Sequence, residues 1–279
     1  MISPLEQTIR TNYDRLPIGE RKLADVVLEM RCELAAYSAT ELAESAGVSK
    51  ATASRLVRRL GFSGYEAMRQ QTPASPASGS PLAELAAERA DKGTLERHVE
   101  HDIACLTRTL EAISADLARR AVEILAQADR IWVVGFRNSY VLALYARALL
   151  AQVKPDARLL PVPGQTVAEE LSALAEGEAV LMLGFRRRPH GLAEILRTAA
   201  QAKARIVLIG DPSLGDLDKH ADVTLRCDSR GSSLFDTYVA PISLLNYLCS
   251  QVALELGEAA RQRLRRSEQL RDRLGDFSL

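Results

Sequence analysis

The sequence has few cysteines, and their arrangement excludes two classes of protein. Only four cysteines occur in 279 residues. They are scattered along the chain, with no CxxC pair and no histidine cluster beside them, at Cys32, Cys105, Cys227 and Cys249. Small secreted proteins and zinc-binding domains both need closely spaced cysteines. We therefore expect neither a disulfide framework nor a metal site.

Net charge is also lacking. Lysine and arginine together number 36, aspartate and glutamate together number 36, and the formal net charge is +0. A basic excess over the whole chain, which is common among nucleic-acid-binding proteins, is therefore absent. Any nucleic-acid site has to come from a local concentration of cations.

Long apolar runs are missing as well. No run approaches the ~20 residues that a membrane-spanning helix needs. The first 16 residues lack the basic-then-apolar order of a signal peptide. We expect a cytoplasmic protein with no membrane partner.

One segment is too poor in large apolar residues to belong to a core. Residues 72–81 read TPASPASGSP and contain only threonine, proline, alanine, serine and glycine. Such a composition is typical of a linker. The sequence therefore predicts an amino-terminal domain over residues 1–71, a linker over 72–81, and a second domain over 82–279.

Residues 40–64 have the spacing of a helix-turn-helix motif. Small Ala43 stands where two helices must approach closely, and Gly47 follows at the end of the first helix, where a left-handed backbone favours glycine. Val48 can fill the space between the helices, and Ser49 can cap the second one. A plain helical hairpin inside a core is the alternative, but the joint presence of these residues at this spacing argues against it.

The second helix of the motif, residues 50–60, predicts a DNA-contacting face. Residues 50–69 hold five cations and one acid, and a narrow amphipathic helix fits the major groove. We expect Lys50, Ala51, Ser54 and Arg55 to face base edges, and Arg58 and Arg59 to hold phosphates. The complete set of predicted DNA-binding residues is Ser49, Lys50, Ala51, Thr52, Ser54, Arg55, Arg58 and Arg59.

From residue 130 onward, short apolar runs alternate with helical patterns. The expected strands are residues 130–135, 157–162, 179–184, 205–210 and 222–226. Strands that are apolar on both faces and separated by helices predict a parallel sheet covered on both sides. The fold class is therefore α/β: a helical amino-terminal domain followed by a five-stranded parallel sheet flanked by helices.

Two loops of this sheet stand out, residues 135–140 and 184–190. Each follows a strand and begins with Gly-Phe-Arg, and ligands of open parallel sheets bind at the carboxyl ends of strands. Three consecutive arginines at such an end would repel one another without an anion. They could instead form a solvated charge run or pair with acids across a subunit interface. The predicted effector-binding residues are Gly135, Arg137, Asn138, Ser139, Arg186, Arg187 and Arg188.

Catalytic patterns are poorly represented. The histidines are His98, His101, His190 and His220, and none has the spacing of an acid–histidine–nucleophile set. No phosphate-binding P-loop and no GxGxxG motif occurs. Glu169 and Glu170 could face a ligand, but favourable charges in the first turn of a helix explain them better. We therefore expect no catalytic residue, no cofactor and no enzymatic activity.

On these motifs the sequence resembles the RpiR-type bacterial transcriptional regulators, in which a helix-turn-helix domain precedes a sugar isomerase (SIS) domain. The resemblance covers nearly the whole chain. In the first domain it is carried by Ile18-Gly19-Glu20, Glu41-Leu42-Ala43, Gly47-Val48-Ser49, Ala51-Thr52, Arg55 and residues 60–65. In the second it is carried by Val133-Val134-Gly135, Leu181-Met182-Leu183 and residues 207–211. The family implies a homodimer or homotetramer that binds an operator and responds to a phosphorylated sugar or related metabolite.

The sequence departs from the family pattern in both strand-end loops. The usual Gly-x-Gly-x-Ser is Gly-Phe-Arg-Asn-Ser at residues 135–139, and the usual Ser-x-Ser-Gly-x-Thr is Gly-Phe-Arg-Arg-Arg-Pro at residues 184–189. Guanidinium groups replace hydroxyl and amide donors, so we expect an anionic effector, either a phosphorylated sugar or a carboxylated metabolite.

The sequence thus predicts a regulator that binds double-stranded operator DNA as an inverted repeat. Two alternatives stay open. One is a sugar-phosphate isomerase with an accessory helical domain, and the other is a nucleoid-like protein that binds DNA without sequence preference.

Overall fold

The chain divides into two units. The computed structural model describes residues 4–13, 16–29, 39–65, 67–68, 93–186, 188–189 and 191–275. The units comprise Met1–Ala90 and Asp91–Leu279. The predicted linker, residues 72–81, lies outside the described residues, so its boundaries stay a prediction.

The first unit is helical, as predicted. Among the described residues of this unit, the helices are α1 (Pro4–Asn12), α2 (Ile18–Glu29), α3 (Ala39–Ser45) and α4 (Lys50–Arg59). Their apolar faces meet in one core, where Ile9 and Leu56 are fully buried and Leu42 and Met68 nearly so. Burial of these faces, rather than helix propensity, stabilises helices as short as α3 and α4.

The second unit alternates helices and strands. In chain order its elements are α5 (Leu95–Ala112), α6 (Ala115–Gln127), β1 (Ile131–Gly135), α7 (Asn138–Val153), β2 (Ala157–Leu160), α8 (Val167–Leu171), β3 (Ala179–Leu183), α9 (Leu192–Gln201), β4 (Arg205–Gly210), a 3-10 segment (Pro212–His220), β5 (Val223–Arg226), α10 (Val239–Leu256) and α11 (Glu258–Leu274). The strand β2 is shorter than predicted because Pro161 has no N–H to continue the ladder.

The five strands form one sheet in the order β2-β1-β3-β4-β5, and every neighbouring pair is parallel. Alternate residues of each strand enter two separate cores. Val133 packs on the side of α5, α6, α7 and α10, whereas Trp132 packs on the side of α8 and α9. The prediction of a five-stranded parallel sheet flanked by helices is confirmed. All carboxyl ends of the strands lie at one edge, where the loops of interest meet.

One helix of this unit, α10, is long and apolar enough by length and composition to cross a membrane. Its residues Ala240, Leu245, Leu248, Cys249 and Val252 are buried in the core beside the sheet. The helix packs against α6 and α7. About 33% of this stretch is buried, whereas Leu254 is 71% exposed, so its position beside the core accounts for only part of its apolar composition.

The opposite, amino-terminal edge of the sheet is held by a buried carboxylate. Glu178 accepts hydrogen bonds from Trp132 Nε1 at 2.7 Å, from Arg130 Nη1 at 2.6 Å and from the backbone N–H of Ala175 at 3.2 Å. The side chain of Glu178 is only 8% exposed. Hydrogen bonds to a charged group in such a place are stronger than neutral ones.

We expect Glu178→Ala to lower the free energy of unfolding of this unit by about 3 kcal/mol, because it leaves buried donors without an acceptor. The measurement is urea unfolding followed by the fluorescence of Trp132, the one tryptophan of the chain. Glu176→Ala is the matched control. Its ion pair with Lys203 is exposed at both ends, and such pairs contribute less than about 1 kcal/mol. Equal losses in the two variants would contradict the assignment.

Candidate DNA-binding helix and effector site

The turn between α3 and α4 has the predicted geometry. Gly47 adopts φ +62°, and the N–H of Val48 donates to the carbonyl of Ala43 at 2.8 Å. Ser49 caps α4 by accepting a hydrogen bond from the N–H of Thr52 at 3.2 Å. These contacts fix the direction in which α4 leaves the turn.

Small side chains let the two helices approach closely. Ala43 on α3 and Ala53 on α4 are 1% and 3% exposed, and Leu56 is fully buried between them and the rest of the core. The helix-turn-helix interpretation of residues 40–64 is confirmed at the level of the fold. Larger residues at these two alanines would force the helices apart.

The exposed face of α4 carries most of the predicted DNA contacts. Lys50, Ala51, Ser54, Arg55 and Arg58 are all exposed, and their spacing places them on one side of the helix. The Nε of Arg55 donates to the carbonyl of Ala51 at 3.2 Å, which aligns the guanidinium with the helix surface. Side chains so arranged can reach base edges and phosphates together.

Arg59 has a structural role that the sequence analysis missed. Its Nε lies 2.8 Å from Glu20 Oε2, and its Nη2 lies 3.5 Å from Glu20 Oε1. The Glu20 side chain is 4% exposed, whereas that of Arg59 is 47% exposed. Arg59 therefore neutralises a buried carboxylate on α2 and holds α4 against that helix. In the sequence, the one sign of this ion pair is Glu20, an acid within the Ile18-Gly19-Glu20 motif.

In the second unit, the loop after β1 forms a tight entry to α7. A Cβ atom at Gly135 would lie 2.2 Å from the carbonyl oxygen of Ser139, so only glycine fits there. Ser139, the second residue of α7, is buried at 5% exposure. The first glycine of the family loop thus has a steric reason.

Arg137, where the family has its second glycine, is held in a backbone conformation that glycine prefers. Its φ and ψ are +57° and −124°. Gly215 adopts +57° and −130°, and Gly257 adopts +56° and −118°. The chain therefore uses glycine for this conformation elsewhere. A side chain in such a region strains the backbone, and strain of this kind is concentrated at functional sites.

Two of the three predicted loop arginines are already paired with carboxylates of the same chain. Arg186 Nη1 lies 3.1 Å from Asp236 Oδ1, and Arg188 Nη1 lies 3.6 Å from Asp211 Oδ1 and donates to the carbonyl of Gly184 at 2.9 Å. The expected mutual repulsion is thus relieved by Asp211 and Asp236 within one subunit, without an added anion. Arg187 and His190 lie outside the described residues.

Arg137 differs from these arginines. Its side chain is exposed, and within the described part of the chain its guanidinium makes neither a hydrogen bond nor an ion pair. Next to it, the side chain of Asn138 approaches the phenol of Tyr238 and lowers its pKa. The ring of Tyr238 contacts Phe185 edge to face, with centroids 5.9 Å apart. Polar groups from three loops therefore meet at this edge of the sheet.

The protonation of Tyr238 at this edge depends on its burial and on two nearby carboxylates. Burial raises the pKa of the Tyr238 phenol above its ordinary value, and the nearby carboxylates of Asp236 and Asp211 raise it further. The phenol therefore stays protonated at neutral pH and can act as a hydrogen-bond donor. The sequence analysis missed Asp211, Asp236 and Tyr238. Asp211 could have been found from its place one residue beyond β4.

The described residues hold no group of three or more histidine, cysteine or acidic side chains that could bind a metal ion. Burial raises the pKa of the thiols of Cys227 and Cys249 to about 12, so neither is a reactive nucleophile at neutral pH.

Glu169 accepts a hydrogen bond from the N–H of Thr166 and completes a capping box at the start of α8. Glu169 and Glu170 lie in the first turn of α8, as predicted.

Two protein-family models match the chain. The helix-turn-helix domain of the rpiR family matches residues 3–78, and the SIS domain matches residues 124–250. The two matches follow each other in the order of the two units.

Curated proteins of similar length are transcriptional regulators. The chain is 26% identical to the HTH-type transcriptional regulator HexR of Pseudomonas aeruginosa over 271 residues, covering 94% of this chain and 93% of that protein. It is 24% identical to HexR of Escherichia coli over 277 residues, covering 96% and 91%. The bifunctional protein glk of Burkholderia thailandensis is 23% identical, but the match covers only 40% of that protein.

Solved structures show the same fold. The Vibrio vulnificus NanR protein complexed with ManNAc-6P has a TM-score of 0.63 and 18% identity, with 97% of this chain and 98% of that chain covered. The sugar isomerase domain of an RpiR transcription factor from Sphaerobacter thermophilus has a TM-score of 0.58 and 24% identity, covering 62% and 97%. With both domain models matched in order and two regulators matched over nearly the full length, this chain belongs to the RpiR-type transcriptional regulators, which join a helix-turn-helix domain to a SIS domain.

Proposed function

We propose that this protein is a sequence-specific, DNA-binding transcriptional regulator whose SIS domain binds an anionic metabolite and catalyses no reaction. The exposed face of α4 is the observation that carries the DNA-binding role. Lys50, Ala51, Ser54 and Arg55 face base edges, while Ser49 and Thr52 lie near the DNA backbone. Arg58 contacts a phosphate, and Arg59 reaches the backbone only with the part of its side chain that Glu20 leaves exposed. The protein works where the DNA is, in the cytoplasm.

The effector site is the carboxyl edge of the sheet, formed by Gly135, Arg137, Asn138, Ser139 and the arginines at positions 186–188. Arg137 is the cation of this set that faces solvent without a protein partner among the described residues. The NanR structure of the same fold was solved with a phosphorylated sugar derivative. We therefore infer a phosphorylated sugar or a carboxylated metabolite as the effector class. Arg186 and Arg188, whose charges are paired with aspartates, hold the loops of the site in place and do not bind the effector directly.

The regulator acts as a homodimer or homotetramer on an inverted repeat. A two-fold assembly places two recognition helices about 34 Å apart, one turn of DNA. Large apolar side chains on three helices of the second unit support this, since Leu95, Leu110, Leu254 and Leu274 are each more than 70% exposed. An effector changes DNA binding only if it binds one subunit arrangement more tightly than the other.

Size-exclusion chromatography with light scattering on the full chain is expected to show a dimer or tetramer at DNA-binding concentrations, because exposed apolar side chains of this size are usually covered in an assembly. A monomer at those concentrations would contradict the oligomeric part of the proposal.

Selection of bound DNA from a random pool is expected to enrich an inverted repeat and to separate the roles of two arginines. Arg55→Ala should lose about 1–3 kcal/mol of discrimination at the selected sequence, because a base contact is removed. Arg58→Ala should weaken binding to all sequences alike and reduce the salt slope by about one.

The matched control is Arg266→Ala, an exposed arginine on α11, which should leave both properties unchanged. Unaltered sequence preference in Arg55→Ala would show that the base-facing side of α4 has been assigned wrongly. Binding without enrichment, which disappears as salt rises, would favour the nucleoid-like alternative.

Arg137→Gly is expected to raise stability and to lower effector binding together. Relief of the backbone strain should raise the free energy of unfolding by about 1–3 kcal/mol, measured by Trp132 fluorescence in urea. The same variant should lose the thermal shift that a sugar phosphate such as ManNAc-6P, or a sugar acid, produces in the parent chain. Arg137→Lys keeps both the charge and the strain, so it should retain a ligand response without the gain in stability.

A full ligand response in Arg137→Gly would remove Arg137 from the effector site. The same ligands are also incubated with the parent protein, and their conversion into another sugar phosphate would establish the isomerase alternative instead.

A further inference from the structure

The loop between β5 and α10, residues 227–238, connects the effector edge of the sheet to α5. Its last residues belong to the effector edge, and its first residues lie along the helix. The SIS family model covers this loop, but neither family model covers residues 79–123, to which α5 belongs. The resemblance to the two domains therefore gives no account of the contact between the loop and α5.

At the effector edge, the end of the loop is held by residues of two other loops. Arg186 Nη1 lies 3.1 Å from Asp236 Oδ1, and the side chain of Asn138 approaches the phenol of Tyr238. Asn138 follows Arg137 at the start of α7, in the proposed effector site. An anion bound there changes the hydrogen bonding of Tyr238 and repels the carboxylate of Asp236. It therefore acts on the end of the loop.

At its start, the loop is fastened to α5. Asp228 Oδ2 accepts a hydrogen bond from Arg108 Nε at 2.6 Å, and the N–H of Asp228 donates to Thr109 Oγ1 at 3.0 Å. The carbonyl oxygen of Arg230 lies 2.6 Å from His101 Nε2. These contacts extend over about two turns of the helix. The start of the loop and this part of α5 are therefore held together.

Between its two ends the loop is folded on itself. The N–H of Thr237 donates to the carbonyl of Ser229 at 3.0 Å and closes the loop at its base. A Cβ atom at Gly231 would lie 1.7 Å from the carbonyl oxygen of Phe235, so the two sides of the loop are in contact. A loop packed in this way is compact and moves as one piece. A displacement of its end is therefore carried to its start.

The contact between the loop and α5 is incompletely paired. Among the described residues, the buried side-chain oxygens that lack a hydrogen-bond partner are Asp102 Oδ1 on α5 and Ser229 Oγ in the loop. Buried polar atoms are nearly always paired. A contact that leaves such atoms unpaired loses less free energy in a shift than a fully paired contact does.

Helix α5 carries the loop on one face and exposed apolar side chains on another. The loop contacts His101, Arg108 and Thr109. The exposed apolar residues are Leu95, Val99, Ile103 and Leu110. With 3.6 residues to a turn, these two sets lie on separate faces of the helix. Because the apolar face belongs to the surface assigned above to subunit contact, a shift of α5 changes how two subunits meet.

We propose that the loop of residues 227–238 transmits effector binding from the carboxyl edge of the sheet to α5, and through the apolar face of α5 to the subunit arrangement that sets DNA affinity. This regulation concerns the same effector site and so rests on the proposed function. Without the effector, the ion pair of Arg186 with Asp236 holds the end of the loop. A bound anion weakens this hold, the loop shifts as one piece, and α5 follows it.

The first test is amide hydrogen exchange of the full chain without DNA or effector, in the variant Asp236→Asn. This variant removes the charge of the ion pair with little change in shape. We expect exchange in residues 101–109 of α5 to accelerate about tenfold relative to α9, the effect of losing one charge-assisted hydrogen bond. Tyr238→Phe, which removes only the phenol oxygen, is the second variant in case Asp236→Asn does not fold.

The matched control is Asp156→Asn. Asp156 forms ion pairs with Arg130 and Arg158 at the opposite, amino-terminal edge of the sheet. Its loss removes a paired carboxylate of the same unit without touching the loop. Exchange in α5 relative to α9 should therefore stay as in the parent protein.

The second test measures affinity for the selected operator in Asp236→Asn, in Arg108→Ala and in the double variant. The two substitutions lie at opposite ends of the loop, and neither is on α4. Each should change the affinity about fivefold in the same direction, with sequence preference and salt slope unchanged. If the loop carries both effects, the double variant changes the affinity no more than the larger single effect.

The coupling is contradicted if exchange in α5 is unaltered in both Asp236→Asn and Tyr238→Phe, if Asp156→Asn accelerates it equally, or if the two substitutions act additively on operator affinity. Each of these outcomes is compatible with an enriched inverted repeat and leaves the proposed function in place. Absence of an enriched operator would contradict the proposed function instead. The exchange experiment uses neither DNA nor effector, so it decides in either case whether the loop and α5 move together.

Discussion

A parallel sheet buried on both faces imposes the constraint on which the second unit depends. Each strand has to be followed by a helix that returns the chain to the same edge, so all five carboxyl ends meet at one edge. The strands themselves are too thoroughly buried to carry polar chemistry. The loops after β1, β3, β4 and β5 are therefore the places at which polar side chains such as Asn138, Asp211 and Tyr238 can gather.

Charge pairing then decides which of these polar groups remain available. Asp211 and Asp236 neutralise Arg188 and Arg186 and make them part of the framework of the edge. Arg137 is left exposed in a backbone conformation for which the chain elsewhere uses Gly215 and Gly257. An exposed cation held in a strained backbone conformation, beside cations that are paired, is a combination expected at a functional site. Charge pairing acts in the same way on α4, where Glu20 pairs with Arg59 while Arg55 and Arg58 stay exposed.

Much of the fold and part of the site could be predicted from local sequence. The turn at Gly47, the cap at Ser49 and the five strands follow from interactions over a few residues, and all of them are present in the structure. The pairs Arg59–Glu20 and Arg186–Asp236 join residues 39 and 50 positions apart, and Arg188 pairs with Asp211 of the loop after β4. No local pattern reveals such partners, and this is why the arginine loop was interpreted as needing an external anion.

The sequence by itself determined the fold class, the order of its elements and the face of α4 that is exposed, because periodicity, capping and turn chemistry act within one or two helical turns. Only the tertiary structure decided which charges are neutralised inside the protein and which remain free to bind a ligand. It also brought α5 against the loop after β5, which connects that helix to the effector edge. Both outcomes depend on side chains that are distant in sequence and meet only after the sheet and its covering helices have packed.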